Sequence, residues 1–252
     1  MEKKYQYINS VKYTYAGSLQ DRKILLVVGR TNFYKSSIIL ETLISTLHSF
    51  GITILWYENK LTSIQKTIDS ELGTWDKSSL NQLFKNKHLS RSYLRSAVKF
   101  FLLLKHPSRW RYILNKPPKN PSEQARELKQ FIRKLGQKDI IILAHSAGSI
   151  IASLAEDQPT LKKIICFGYP FKHPDHDEEP YRTEHLRFIK KPILIIQGRD
   201  DEYGGENIIA RYALSSSITI MFTNDNHDYN NMSSEDYEKV LSCVRFFIEE
   251  PR

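Results

Sequence analysis

A mostly parallel β-sheet flanked by helices is the fold class this sequence predicts, and three observations predict it. Short apolar runs rich in β-branched residues recur along the chain, at residues 24–28, 52–57, 140–143, 163–167, 193–196 and 217–222. Segments of helical periodicity separate most of them, and strands alternating with helices close into right-handed βαβ units. Three of the runs stop abruptly in polar residues of catalytic type, which places a serine, a carboxylate and a histidine on one edge of the sheet.

The elements follow in order. Residues 5–15 alternate aromatics and polar residues about a turn at Asn9 and Ser10, as in a β-hairpin. Residues 24–28 read as a buried strand, 36–50 as an amphipathic helix closed by Gly51, and 52–57 as the next strand. After Pro117, Pro118 and Pro121, a helix runs over 122–135, with Glu123 in its first turn and Gly136 as its stop. The strand at 140–143 is followed by a helix reaching about Asp157, then by a strand at 163–167. Residues 193–196 and 217–222 are strands, with a helix over 206–214 between them. Ser233 opens the last helix, with Asp236 three residues on in the place of a capping-box glutamate.

Residues 58–119 are too long for a plain connection, which usually takes about 2–6 residues, and are expected to form an insertion within a single domain of 252 residues. Its middle, from Tyr93 to Leu104, is apolar with interspersed cations and is stopped by His106 and Pro107; Trp110, Tyr112, Ile113 and Leu114 follow. The net charge of +9 is concentrated here: the insertion holds 13 Lys and Arg against 4 Asp and Glu, leaving 24 of each sign elsewhere. The scaffold is therefore neutral and the insertion basic.

Composition narrows the rest. The first residues lack the apolar core of a signal peptide, and no apolar run approaches the roughly 18 residues of a membrane span. Cys166 and Cys243 have neither metal nor redox spacing and are expected to be reduced. A cytoplasmic location is the default expectation.

The most informative stretch is Ile140 to Ala152. Four apolar residues lead into Ala144-His145-Ser146-Ala147-Gly148, and a small-residue helix start follows. This is the layout of a nucleophile elbow, where a serine occupies a strained strand-to-helix turn and the residues two before and two after it must be small. Ala144 stands where the usual pattern has its first glycine. A serine nucleophile needs a histidine to take its proton and a carboxylate to orient that histidine. The polar loop 223–228 supplies one histidine, His227. The acid lies among Asp200, Asp201, Asp225 and Asp228, and its distance from Gly198 favours Asp201. The order serine, acid, histidine is that of the α/β-hydrolase fold.

Phe167-Gly168-Tyr169-Pro170, Arg182-Thr183-Glu184-His185-Leu186, and Gln197-Gly198 with Asp201 and Gly204 carry a narrower resemblance. Over roughly residues 120–230 the chain resembles the dienelactone-hydrolase-like group of α/β hydrolases, which includes testis-expressed protein thirty and the third subunit of the NSL acetyltransferase complex. The resemblance implies Ser146 as nucleophile, Asp201 as acid and His227 as base. In this fold the backbone N–H groups of Ala147 and of Arg30, after the strand-ending Gly29, would form the oxyanion hole, and the insertion would form a helical cap. No cofactor is expected. His173 to Glu179 has metal-binding residue types but reads as a solvated acidic loop, so no metal is expected either.

The expected function is hydrolysis of a carboxylic ester or thioester. The alternative is a non-catalytic interaction protein that keeps the fold and uses its basic insertion on an acidic partner or an anionic membrane surface. For that insertion three readings stand. It is a cap with solvated lysines, or a hydrophobic cap that attracts acidic, lipophilic substrates or an anionic membrane surface. The third reading, a nucleic-acid site, has no recognised motif to support it.

Overall fold

A computed structural model describes residues 1–8, 11–29, 37–76, 88–105, 110 and 120–250. The turn at residues 9 and 10, Arg30, the stop at His106 and Pro107, the apolar residues 112–114 and the prolines 117 and 118 lie outside them.

Eight strands form one sheet in the order β1-β2-β4-β3-β5-β6-β7-β8. They are β1 (Lys4–Ile8), β2 (Val11–Ala16), β3 (Lys23–Val28), β4 (Thr53–Tyr57), β5 (Asp139–His145), β6 (Leu161–Phe167), β7 (Ile193–Gly198) and β8 (Ile218–Thr223). β2 pairs with β4 antiparallel; every pairing from β4 through β3, β5, β6 and β7 to β8 is parallel. The helices are α1 (Ile38–Ser49), α2 (Lys60–Asp76), α3 (His88–Leu104), α4 (Pro121–Lys134), α5 (Ala147–Ser153), α6 (Ile208–Arg211) and α7 (Ser234–Glu249).

The central strands are buried on both faces, as a parallel sheet between helical layers requires: β7 is buried throughout, and β3 and β6 each expose a single residue. One core joins Leu25, Val27, Leu43, Leu47, Leu143, Ile165, Ile196, Val244 and Phe247 across the sheet and the helices α1 and α7. α7 is capped by Ser233, whose hydroxyl accepts the Asp236 N–H at 3.0 Å. α4 starts a residue earlier than its periodicity indicates, because the Asn120 side chain accepts the Glu123 N–H at 2.8 Å and Pro121 takes the first helical position.

Two elements differ from the sequence expectation. The helix expected over 206–214 is only Ile208–Arg211. Tyr212 leaves it with extended backbone and stacks on Phe171, ring centroids 5.5 Å apart; that tertiary contact outweighs local propensity. α2 was not legible in the sequence, since its polar residues conceal an apolar stripe of Ile64, Ile68 and Leu72 at every fourth position.

The chain divides into two compact units. One holds Met1–Lys4, Thr14–Tyr57 and Asn120–Arg252, and the other Tyr5–Tyr13 and Glu58–Lys119. The second unit has its own small core, in which Ile64, Ile68 and Leu72 of α2 meet Leu103, Val98 and Leu102 of α3.

The ends of β5 to β8 set the site through their register. The Ser146 N–H donates to the Phe167 carbonyl (2.9 Å), the Gly168 N–H to Ile196 (3.0 Å) and the Arg199 N–H to Thr223 (2.9 Å). Each loop therefore leaves the sheet one residue past its strand, on the same edge. The next loop passes so close to Gly198 that a Cβ there would overlap the Asp225 carbonyl oxygen and lie 2.9 Å from that of Asn226. Gly198→Ala should therefore cost about 1–3 kcal/mol by overpacking, lowering the melting temperature by several degrees. Gly73→Ala on α2, where a Cβ meets nothing within 4 Å, should be neutral or stabilising by up to about 1 kcal/mol. Thermal unfolding of the two variants beside the parent tests this; equal melting temperatures would contradict it.

Candidate active site

Ser146 sits between β5 and α5 with φ 52° and ψ −128°, a left-handed backbone that a residue with a Cβ rarely adopts. Such strain persists only where the surroundings over-determine it. Here β5 fixes one side, the Phe167 carbonyl takes the Ser146 N–H, and the Ser146 carbonyl accepts the Ser149 N–H at 2.8 Å. Two residues on, a Cβ at Gly148 would lie 2.5 Å from the Val28 carbonyl oxygen and 3.5 Å from Gly29 Cα. The expectation of a small residue after the serine thus has a concrete cause, the passage of the end of β3. Gly29 is the last described residue before Arg30, so no position is assigned to the second expected oxyanion donor. Ala147 is the first residue of α5, where a backbone N–H has no partner within the helix.

The structure brings Ser146, His227 and Asp201 together. His227 Nε2 lies 2.9 Å from Ser146 Oγ, and Nδ1 lies 2.9 Å and 3.1 Å from the two oxygens of Asp201. All three residues are buried, at 4 to 7 % exposure. A carboxylate only accepts hydrogen bonds, so the ring proton belongs on Nδ1 and Nε2 is left to accept from the serine hydroxyl. Among the competing acids, Asp200 and Asp228 are exposed. Asp225 is buried but turns one oxygen to the Asn226 N–H at 2.8 Å.

Several neighbours that hold this constellation were not assigned a role from the sequence. The Gln197 side-chain amide donates to Asp201 Oδ2 and to the Gly204 carbonyl, both at 2.8 Å, while its oxygen accepts the Tyr169 N–H at 2.9 Å. The Tyr203 N–H donates to Asp201 Oδ1 at 2.8 Å, and the Tyr203 ring lies against His227 with centroids 4.4 Å apart. Gly168, at φ 56°, gives the imidazole its room: a Cβ there would lie 3.1 Å from His227 Nδ1. Tyr229, at φ 53° and fully buried, ties the histidine loop to β7 by donating its hydroxyl to the Ile196 carbonyl at 2.7 Å; burial raises its pKa well above the usual phenol value. Gln197 and Gly168 belong to the segments that carried the family resemblance, so motif membership was the available signal. Tyr203 and Tyr229 had none.

The Arg-Thr-Glu-His-Leu segment lies behind the site. Arg182 is buried and pairs with Glu179, its carbonyl accepts the Tyr169 hydroxyl at 2.6 Å, and His185 Nε2 lies 2.8 Å from Ser153 Oγ on α5. These bonds hold the Gly-Tyr-Pro loop against α5. In the loop after it, the rings of His173 and His176 lie 4.2 Å apart, and among the described residues no group of three or more His, Cys, Asp and Glu is placed to hold a metal ion. Burial pushes the Cys166 thiol up to about 12, which makes it unreactive at neutral pH. No helix among the described residues is long and apolar enough to cross a membrane.

A family model of the alpha/beta hydrolase domain matches residues 109–246. This is more than half of the chain, which therefore belongs to the α/β-hydrolase family. Solved structures agree in fold. MGS-MChE2, an α/β hydrolase enzyme from the metagenome of sediments of the lagoon of Mar Chica, Morocco, is 13% identical, with a TM-score of 0.59 over 98% of both chains. The carboxylesterase CesB of Bacillus subtilis is 11% identical, with a TM-score of 0.57 over 100% of this chain and 92% of its own. The thioesterase domain from the curacin biosynthetic pathway is 10% identical, with a TM-score of 0.54 over 97% of this chain and 99% of its own. A search of curated proteins by sequence gave no match.

His185 gives this region a pH dependence. Burial lowers its pKa from 6.5 to about 4 in the folded protein. Below pH 6.5 the unfolded chain takes up a proton that the folded one refuses, so stability falls as the pH drops from about 6.5 to about 4. His185→Gln, which keeps a partner for Ser153, should flatten the stability profile in that window and leave it unchanged above pH 7. Urea unfolding at a series of pH values measures it; an unaltered slope would contradict the assignment.

Proposed function

We propose that the protein is a serine hydrolase acting on a carboxylic ester or thioester through Ser146, His227 and Asp201. The observation that carries this reading is the single line of hydrogen bonds from the strained serine through both nitrogens of one imidazole to a buried carboxylate. Family membership supports a hydrolase, and the esterase and thioesterase among the similar folds fit a small-molecule ester or thioester as substrate. The Gly-Tyr-Pro, Arg-Thr-Glu-His-Leu and Gln-Gly-x-x-Asp segments favour the dienelactone-hydrolase-like group within the family.

In the proposed reaction Ser146 Oγ attacks the substrate carbonyl as its proton passes to His227 Nε2. Asp201 keeps the imidazole in the productive tautomer and stabilises the cation, and Gln197 and the Tyr203 N–H keep Asp201 in place. The Ala147 N–H and that of Arg30 receive the negative oxygen of the tetrahedral intermediate. His227 then protonates the departing alcohol or thiol. Water, deprotonated by the same histidine, attacks the acyl-serine, releasing the acid and restoring the hydroxyl. The serine proton leaves with the alcohol or thiol and a proton from water replaces it, so the three side chains end as they began and none of these steps calls on a cofactor.

An alkyl fluorophosphonate should label this protein at Ser146 alone, with Ser146→Ala abolishing both labelling and turnover of activated esters. Mass spectrometry of the labelled peptide locates the adduct. Unchanged esterase activity in the alanine variant would refute Ser146 as the nucleophile, and a parent protein that is neither labelled nor active would leave the non-catalytic alternative.

The carboxylates separate in the same assay. Asp201→Asn should depress kcat by about 10⁴-fold, the loss typical when the orienting acid is replaced, while thermal unfolding changes little. Asp200→Asn should stay within a few-fold of the parent. Greater sensitivity at Asp200 or Asp225 would move the acid away from Asp201.

A further inference from the structure

We infer that α3 is a docking helix for the surface of an anionic lipid bilayer. The helix buries one side and leaves the other open. Leu103 is buried, and Val98 and Leu102 join it against Ile64, Ile68 and Leu72 of α2. On the opposite side Tyr93 is 76 %, Phe100 56 %, Phe101 65 % and Leu104 44 % exposed, with Ala97 exposed between them. At 100° per residue, positions 93, 97, 100 and 104 share one face, and 1.5 Å per residue makes the stripe about 16 Å long. Trp110 extends it: its indole N–H donates to the Leu104 carbonyl at 3.0 Å while the side chain stays 46 % exposed. Among the other described residues the exposed large apolar side chains, such as Ile38, Tyr181 and Ile209, are scattered along the chain, which is ordinary for a protein surface. A contiguous aromatic stripe marks an interaction site.

Charge selects the occupant. The segment that carries the stripe holds 13 Lys and Arg against 4 Asp and Glu, and the rest of the chain is neutral. Along the sequence the cations run from Lys60 to Lys119 with no single dense cluster, as suits a diffuse sheet of negative headgroups. A Tyr, Phe, Phe, Leu, Trp stripe supplies what enters the boundary between headgroups and acyl chains. Basic residues near an anionic leaflet contribute about 1 kcal/mol each, and the attraction decays within a Debye length, about 8 Å at physiological salt. The inference does not rest on the hydrolase reading, and labelling of Ser146 serves as an independent control.

The test is flotation of the full-length protein with vesicles of phosphatidylcholine alone and of phosphatidylcholine mixed with phosphatidylserine. The expected result is binding to the mixed vesicles only, weakening steeply with added salt. The double variant Phe100→Ser, Phe101→Ser should bind at least tenfold less, with unchanged circular dichroism and unchanged fluorophosphonate labelling. Lys99→Glu with Lys105→Glu, which leaves the stripe intact, should shift the salt dependence to lower salt and covers the case in which the serine variant fails to fold. Equal binding to both vesicle types, or none, overturns the inference. So does full displacement by soluble polyglutamate while the serine variant binds like the parent, which would assign the charge to an acidic protein. If the serine variant loses turnover of a soluble long-chain ester but keeps vesicle binding, the stripe meets substrate instead and the inference again fails.

Discussion

Ser146 can hold its left-handed backbone only because a parallel sheet is built around it. A residue with a side chain at φ 52° carries strain of order 1–3 kcal/mol. The turn is held by β5 running in buried, by the Phe167 carbonyl at the end of β6, and by α5 starting immediately beyond. Without the pairing of β5 with β6 the Ser146 N–H would lose the Phe167 carbonyl that holds the turn. The hydroxyl would then have no fixed relation to His227.

The same constraint explains the glycines. A sheet edge on which several loops converge has little free volume, and three strands end against foreign backbone or the imidazole. Gly148 admits the end of β3, Gly168 admits His227, and Gly198 admits the histidine loop. None of the three contributes a functional group. Gln197 and Tyr229 act in the complementary way, by filling hydrogen-bonding needs: Gln197 joins Asp201 to the Gly-Tyr-Pro loop, and Tyr229 ties the histidine loop to β7. Such a satisfied polar network in a low-dielectric site is strong, and costly to disturb. The candidate nucleophile, base and acid are therefore held by residues that need not touch a substrate.

The two compact units divide the chemistry. The unit containing most of the sheet is close to neutral, with 23 Lys and Arg against 24 Asp and Glu, and the order of its site comes from short, buried hydrogen bonds. The unit containing α2 and α3 has a core of a few aliphatic side chains, an open aromatic stripe and 14 Lys and Arg against 4 Asp and Glu. A small core with an unpaired apolar face suits a segment whose partner lies outside its own fold, whereas the sheet is saturated with internal contacts.

How much of this was legible from the sequence depends on the range of the interaction. Apolar runs and their spacing determined six strands of the sheet, the body of α4 and the start of α7 after Ser233, because burial on both faces and the Ser233 cap are written in consecutive residues. The elbow was legible for the same reason: small residues flank a serine between a strand and a helix. The charge of the insertion was a matter of counting. The sequence left the acid among four aspartates, although its distance from Gly198 favoured Asp201, and tertiary structure alone decided which carboxylate faces the imidazole. It also decided the roles of Gln197, Tyr203 and Tyr229, the shortening of α6 by the Tyr212–Phe171 stack, and the existence of α2. Each of these rests on groups brought together across the sheet edge or between helices, where register and packing set the distance and no local pattern in the chain records it.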